Sequence, residues 1–138
     1  MTIVLDTSVV VAFMNRRDDD HEWVVRWMET TGEDLVTTPL IVAEIDHLVS
    51  RGGGADAARA FYEDLTSGAY LVEWWSEAVI EIVEAARDNP DIGLADASLL
   101  ALGARLETTR IATLDERHFR AVRPLTGEAA FTLLPADA

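Results

Sequence analysis

Four acidic residues stand where the surrounding pattern is apolar. Asp6 follows Ile3-Val4-Leu5 and precedes Val9-Val10-Val11. Glu44 has Leu40, Ile41 and Leu48 at helical spacing around it. Asp96 heads a face made of Leu99, Leu100 and Gly103, and Asp115 directly follows Ile111-Ala112-Thr113-Leu114. Most of the 25 acids lie in polar runs and read as a solvated face. These four read as buried or half-buried. A lone buried carboxylate becomes protonated, paired or metal-bound. There is no Cys, and His21, His47 and His118 show no ligand spacing. A cluster of oxygen donors without sulfur or nitrogen suits Mg²⁺ or Mn²⁺.

Each acid also has a plainer role open to it. Asp6 could cap a helix opening at Thr7-Ser8, and Asp115 could cap one over 116–121. Asp96 could cap near Gly93-Leu94, and Glu44 could pair with Arg51. All four roles at once are less economical than one shared site. Asp46 rivals Glu44 but reads as a helix-edge residue, and Asp91 reads as turn chemistry before Gly93.

The elements that must carry these residues follow from the hydrophobic pattern. Ile3–Leu5, Leu35–Thr37, Tyr70–Val72, Arg110–Leu114 and Phe131–Leu134 are predicted strands. Helices are expected from Thr7 or Ser8 to Met14, over 20–30, 40–49, 55–65, 77–87 and 94–106, with a short one over 116–121. Gly52-Gly53-Gly54 breaks the third from the fourth, and Asn89-Pro90 stops the helix before it. Strands alternating with helices predict an α/β domain. Its central sheet is mostly parallel, with about four to five strands and helices on both faces. In such sheets ligands bind beyond the carboxyl ends of the strands. Asp6 and Asp115 end predicted strands, so all four acids can converge on one rim.

At 138 residues the chain fits a single domain, 1–138. The absence of Cys excludes disulfides and thiolate catalysis. All 11 basic residues are Arg. Without Lys there is no Walker lysine, no Schiff base, and no lysine beside a phosphorylated aspartate. That argues against a receiver-like phosphoacceptor and a Mg²⁺ phosphatase of similar topology. The phosphatase also expects a second Asp two residues after its nucleophile, whereas Asp6 is followed by Thr7-Ser8. The formal charge of −14 opposes nucleic-acid binding. Bound divalent cations would offset it, and residues 110–124 carry four Arg against Asp115 and Glu116, a local net of +2. That stretch tracks an RNA backbone or pairs with acidic neighbours. The longest uncharged runs, Thr7–Asn15 and Leu35–Ala43, are nine residues each. A membrane span needs roughly 20. The amino terminus lacks a basic stretch, so a cytoplasmic location is expected.

The blocks IVLDTSVVVAF (3–13), TTPLIVAEI (37–45), IGLADASLLALGARL (92–106) and IATLDERHFRAVRP (111–124) resemble those of PIN-domain ribonucleases. The nearest likeness is to the VapC toxins of type II toxin–antitoxin systems. The resemblance spans residues 3 to 135 in order and spacing. It implies a PIN fold and a metal-binding, catalytic tetrad at Asp6, Glu44, Asp96 and Asp115. Thr7, Ser8 and Thr113 fall on the small polar residues beside it; Ser8 and Thr113 either bond metal-bound water or a phosphate oxygen, or serve as caps and strand-end bonds. It further implies Mg²⁺ dependence with Mn²⁺ as substitute, hydrolysis of an RNA substrate, a small cognate antitoxin, and a homodimer. An RNA-processing nuclease without a toxin role, or a silent PIN-fold binding module, are the alternatives. Trp23, Trp27 and Met28 form an apolar stripe on a polar helix. The stripe packs into the core or accepts an antitoxin segment.

Overall fold

A computed structural model describes all 138 residues. Its strands are β1 (Thr2–Leu5), β2 (Asp34–Thr37), β3 (Leu71–Val72), β4 (Arg110–Ala112) and β5 (Thr132–Leu134). Its helices are α1 (Thr7–Met14), α2 (His21–Thr30), α3 (Pro39–Ser67), α4 (Ala78–Asp88), α5 (Leu94–Arg105) and α6 (Glu116–Arg120). All strand pairs are parallel, in the order β3-β2-β1-β4-β5. The chain therefore starts in the middle, builds outward to β3, and then crosses to the other side of β1. The point where that direction reverses, between β1 and β4, opens a crevice at the strands' carboxyl ends.

Successive strand residues face opposite sides of a sheet. Ile3, Val4 and Leu5 are all fully buried, so helices cover both faces. One apolar cluster of 31 buried residues fills the interior, with Phe61 and Phe119 the largest of its fully buried members. Seven successive residues of α5, Ala97 to Gly103, are buried. That explains why this helix reads as apolar on nearly every side. Thr38, the N-cap of α3, is likewise fully buried and meets Ser98 of α5, Oγ1 to Oγ at 2.8 Å. Ser98 donates its proton to the Ala95 carbonyl, so Thr38 donates to Ser98 and accepts from the Ile41 N–H. This chain of bonds fixes the start of α3 against α5.

The expected elements are present, with β1 and β2 starting one residue earlier and β3, β4 and β5 shorter by one or two residues. Tyr70, Thr113, Leu114 and Phe131 fall outside the ladders. The glycine break is real but narrower than expected. Helical structure runs through Gly52 and Gly53, and only Gly54 leaves it, with φ 71° and ψ −160°. Two helices meet at that kink. The apolar stripe of α2 divides. Trp27 and Met28 pack partly against the core and Trp23 is exposed, while Val24, outside the stripe, is the helix's fully buried residue. No helix is long and apolar enough to cross a membrane.

Gly54 occupies backbone space essentially reserved for glycine, while a Cβ there meets no atom within 4 Å. Gly54→Ala should therefore destabilise by about 1–3 kcal/mol through the backbone alone. Gly52 is helical and equally uncrowded, so Gly52→Ala should stabilise by about 0.5–1 kcal/mol. Urea unfolding of the two variants checks the opposite signs.

Candidate metal and catalytic site

Asp6 is the first residue beyond β1 and the N-cap of α1, and is only 5% exposed. Its backbone N–H continues the ladder to the Ala112 carbonyl at 2.9 Å. Its side chain caps nothing. Instead Oδ2 accepts from two hydroxyls, Ser8 at 2.9 Å and Thr113 at 2.7 Å. Ser8 Oγ accepts in turn from the Leu114 N–H, and Thr113 Oγ1 from the Asp115 N–H. Ser8 and Thr113 thus bind the carboxylate and the β4 end rather than standing free for a ligand. Thr7 differs. It is 4% exposed, and its Oγ1 has no hydrogen-bond partner.

Asp115 plays both roles open to it. It is the N-cap of α6, Oδ1 accepting from the His118 N–H at 3.2 Å, and it faces the other acids. Asp96 lies in the first turn of α5 with its side chain 21% exposed, and it does not cap that helix. Glu44 departs from expectation. It is exposed, because Leu48 on the same face is also largely solvent-facing and the buried residues of that turn are Ile41 and Ile45. It makes no ion pair with Arg51; its place is the rim. Asp46, its rival, accepts from the Tyr62 hydroxyl at 2.7 Å.

Asp6, Thr7, Ser8, Glu44, Asp96 and Asp115 line one open cleft of about 430 Å³ at the carboxyl end of the sheet. Two further residues of this wall, Asp18 and His118, escape sequence reasoning. Asp18 is hidden in an acidic run that reads as solvated. His118 has no partner at His–His spacing, but Asp115 lies three residues before it, one helical turn away. That Asp-x-x-His pair was the available signal. Its Nδ1 stands 2.8 Å from Asp115 Oδ2 and 3.6 Å from Asp96 Oδ2. A nitrogen therefore stands among the carboxylates, where the sequence pattern leads one to expect oxygen alone.

Burial raises the carboxyl of Asp6, opposed by the Thr113 and Ser8 hydroxyls and the Thr7 N–H. Burial also pushes Asp96 up, to about 6, and the negative charges of Asp6, Asp115 and Glu44 add to it against an opposing contribution from His118. Like charges converging without a lysine are the arrangement a divalent cation relieves. Asp96, Asp115 and His118 can bring one donor atom each within 4.8 Å of one another. The donor set fits such an ion.

The basic stretch is largely spoken for. Arg110 pairs with Glu33, and Arg120 with both Glu116 and Asp137. Arg117 and Arg123 are exposed and make no ion pair.

The PIN domain family model matches residues 3–124. Ribonuclease VapC26 of Mycobacterium tuberculosis is 37% identical over 138 residues, covering 96% of this chain and all of its own. The chain belongs to the PIN-domain family. Among solved structures, this PIN domain resembles VapC20 of Mycobacterium tuberculosis, a toxin that cleaves the sarcin–ricin loop. The TM-score is 0.79 at 22% identity, covering 88% of this chain and 99% of that one. It also resembles VapBC2 of Rickettsia felis bound to a promoter DNA fragment, with a TM-score of 0.66 at 15% identity over 91% and 96% of the two chains. At these identities both structures speak for the fold.

The raised Asp96 carboxyl makes a signed prediction for the metal-free PIN domain. Folded Asp96 keeps its proton to about pH 6, whereas an unfolded Asp loses it near pH 4. The folded state then binds more protons, so this group's contribution to stability falls as pH rises from about 4 to about 6. Asp96→Asn removes that loss. In EDTA it should gain on the order of 2 kcal/mol over wild type at pH 8, and much less at pH 4.5. Melting curves of both proteins, compared as differences, check it.

Proposed function

We propose that this chain is a metal-dependent endoribonuclease, the toxin of a VapC-type toxin–antitoxin pair. One observation carries the reading. Acids from four separated segments meet in a single cleft, in a chain 37% identical along its length to a ribonuclease VapC. Asp6, Asp96 and Asp115 would hold the cation, Mg²⁺ or Mn²⁺, with Glu44 completing the set. A divalent ion there would lower the pKa of bound water and offset charge building on the phosphate.

The residues themselves do the rest. Ser8 and Thr113 hold one oxygen of Asp6 and so set its orientation. Asp96 must give up its carboxyl proton before it can serve as an anionic ligand. Glu44, exposed on the rim, is the acid with room to orient the attacking water and accept its proton. Lacking lysine, the chain has no ammonium to neutralise the scissile phosphate. Arg117 and Arg123 are the free cations of the basic stretch that can meet the RNA backbone.

An antitoxin segment carrying Arg suits the same cleft, because a guanidinium pairs with carboxylates through two hydrogen bonds. Residues 1–138 would act as one domain, in the cytoplasm, and as a homodimer.

Two experiments test the reading. Asp96→Asn keeps the shape and removes the charge, so RNA cleavage with Mn²⁺ should fall by about 10²-fold or more, and wild type should stop in EDTA. Full cleavage by folded Asp96→Asn would overturn the site. Expression of wild type alone should arrest growth, and co-expression of its antitoxin should relieve the arrest.

A further inference from the structure

We propose that His118 is a ligand of the divalent cation, making the centre a mixed carboxylate–imidazole site that favours Mn²⁺ over Mg²⁺. This rests on the reading above, that the cleft acids hold a cation, and adds a residue and a preference to it.

The short helix α6 builds the pair. Asp115 caps it through Oδ1, which takes the backbone N–H of His118. The other carboxylate oxygen, Oδ2, is the one that lies 2.8 Å from the ring Nδ1. Asp96, arriving from α5, places its Oδ2 at 3.6 Å on the same nitrogen. Despite these approaches Nδ1 is shielded from solvent and has no hydrogen-bond partner. An imidazole nitrogen enclosed by two carboxylate oxygens, without an N–H aimed at either, is placed as a donor around a common centre. Octahedral bonds of about 2.1 Å put adjacent donors about 3.0 Å apart, which falls between the two observed separations.

A second observation is independent of the acids and the ring. Thr7 lines the same cleft as a residue only 4% exposed, and no protein atom satisfies its buried Oγ1. A buried hydroxyl without a partner marks the place of a polar occupant. The other histidines offer no substitute. His21 Nδ1 contacts the Ala12 carbonyl at 2.7 Å, and His47 is exposed on α3 away from the lining residues.

The chemistry sets the preference. Mg²⁺ is a hard ion that takes oxygen and keeps its waters. Mn²⁺ accepts carboxylates and also tolerates imidazole, lying on the series along which nitrogen ligation strengthens. One nitrogen in the ligand set therefore tilts the cleft toward Mn²⁺ while leaving Mg²⁺ able to bind.

The test reads the metal directly. Electron spin-echo spectra of Mn²⁺-loaded wild type should show coupling to an imidazole ¹⁴N, and His118→Ala should lose it. In calorimetric titrations His118→Ala should weaken Mn²⁺ binding by about tenfold or more, at least the effect of losing an outer partner, with a much smaller change for Mg²⁺. His118→Gln should restore binding strength in part, through its amide oxygen, but not the ¹⁴N signal. Mn²⁺ bound without an imidazole signal in wild type overturns the proposal, and that result needs no variant to fold. So does a signal that persists in His118→Ala, or an equal loss for both ions. Asp96→Asn separates this from the underlying reading. If wild type binds neither ion, or Asp96→Asn binds Mn²⁺ as wild type does, the acidic site itself fails and the proposal falls with it. If binding depends on Asp96 but carries no nitrogen signal, only the role of His118 falls.

Discussion

A carboxylate buried at the centre of a parallel sheet is the feature on which the rest depends. Asp6 sits where β1 ends, beside β4, almost out of contact with water. Desolvation opposes its charge, and two hydroxyl hydrogen bonds to one oxygen return part of what burial removes. The same hydroxyls accept from backbone N–H groups at the end of β4. Holding the acid and closing the β1–β4 junction are therefore one structural task. The cleft exists because the strand order reverses at that junction, and the acid stands at its floor.

The other three acids have graded surroundings. Asp96 is half enclosed, Asp115 shares its carboxylate with a helix cap, and Glu44 faces solvent. Their mutual repulsion is unrelieved by any lysine, since the chain has none. Fixed cations nearby are limited as well, because Arg110 and Arg120 are already paired. The site is thus held in an electrostatically tense state by packing elsewhere, chiefly the buried middle of α5 and the Thr38–Ser98 contact that seats α3 against it.

Much of this could be read from residue order alone. Apolar runs interrupted by single acids reveal Asp6, Asp96 and Asp115, since a buried neighbourhood leaves a clear pattern. Strand and helix alternation places them at one end of a sheet. Glu44 shows where the pattern misleads: helical spacing identified an apolar face, but Leu48 on that face is solvent-facing. His118 shows the opposite failure. Its partners come from the turn before it and from α5, and only the first, through the Asp115-x-x-His118 spacing, can be read along the chain. Asp18 was masked by equally acidic neighbours, and the fate of the Arg residues depended on Glu33 and Asp137, which are distant in sequence.

The strand order also has a consequence for how the molecule comes into being. Asp6 and the Thr113 hydroxyl that holds it are separated by 107 positions. β1 is made first, yet its second neighbour in the sheet is among the last segments synthesised. A chain still on the ribosome can form β1, β2 and β3 together, but it has neither the hydroxyl that steadies Asp6 nor the acid at Asp115. The centre therefore comes into existence only near the end of translation. A truncated product that lacks β4 and β5 has neither Asp115 in the cleft nor the Thr113 hydroxyl on Asp6, and any partner that must engage the complete cleft has until that moment to be present.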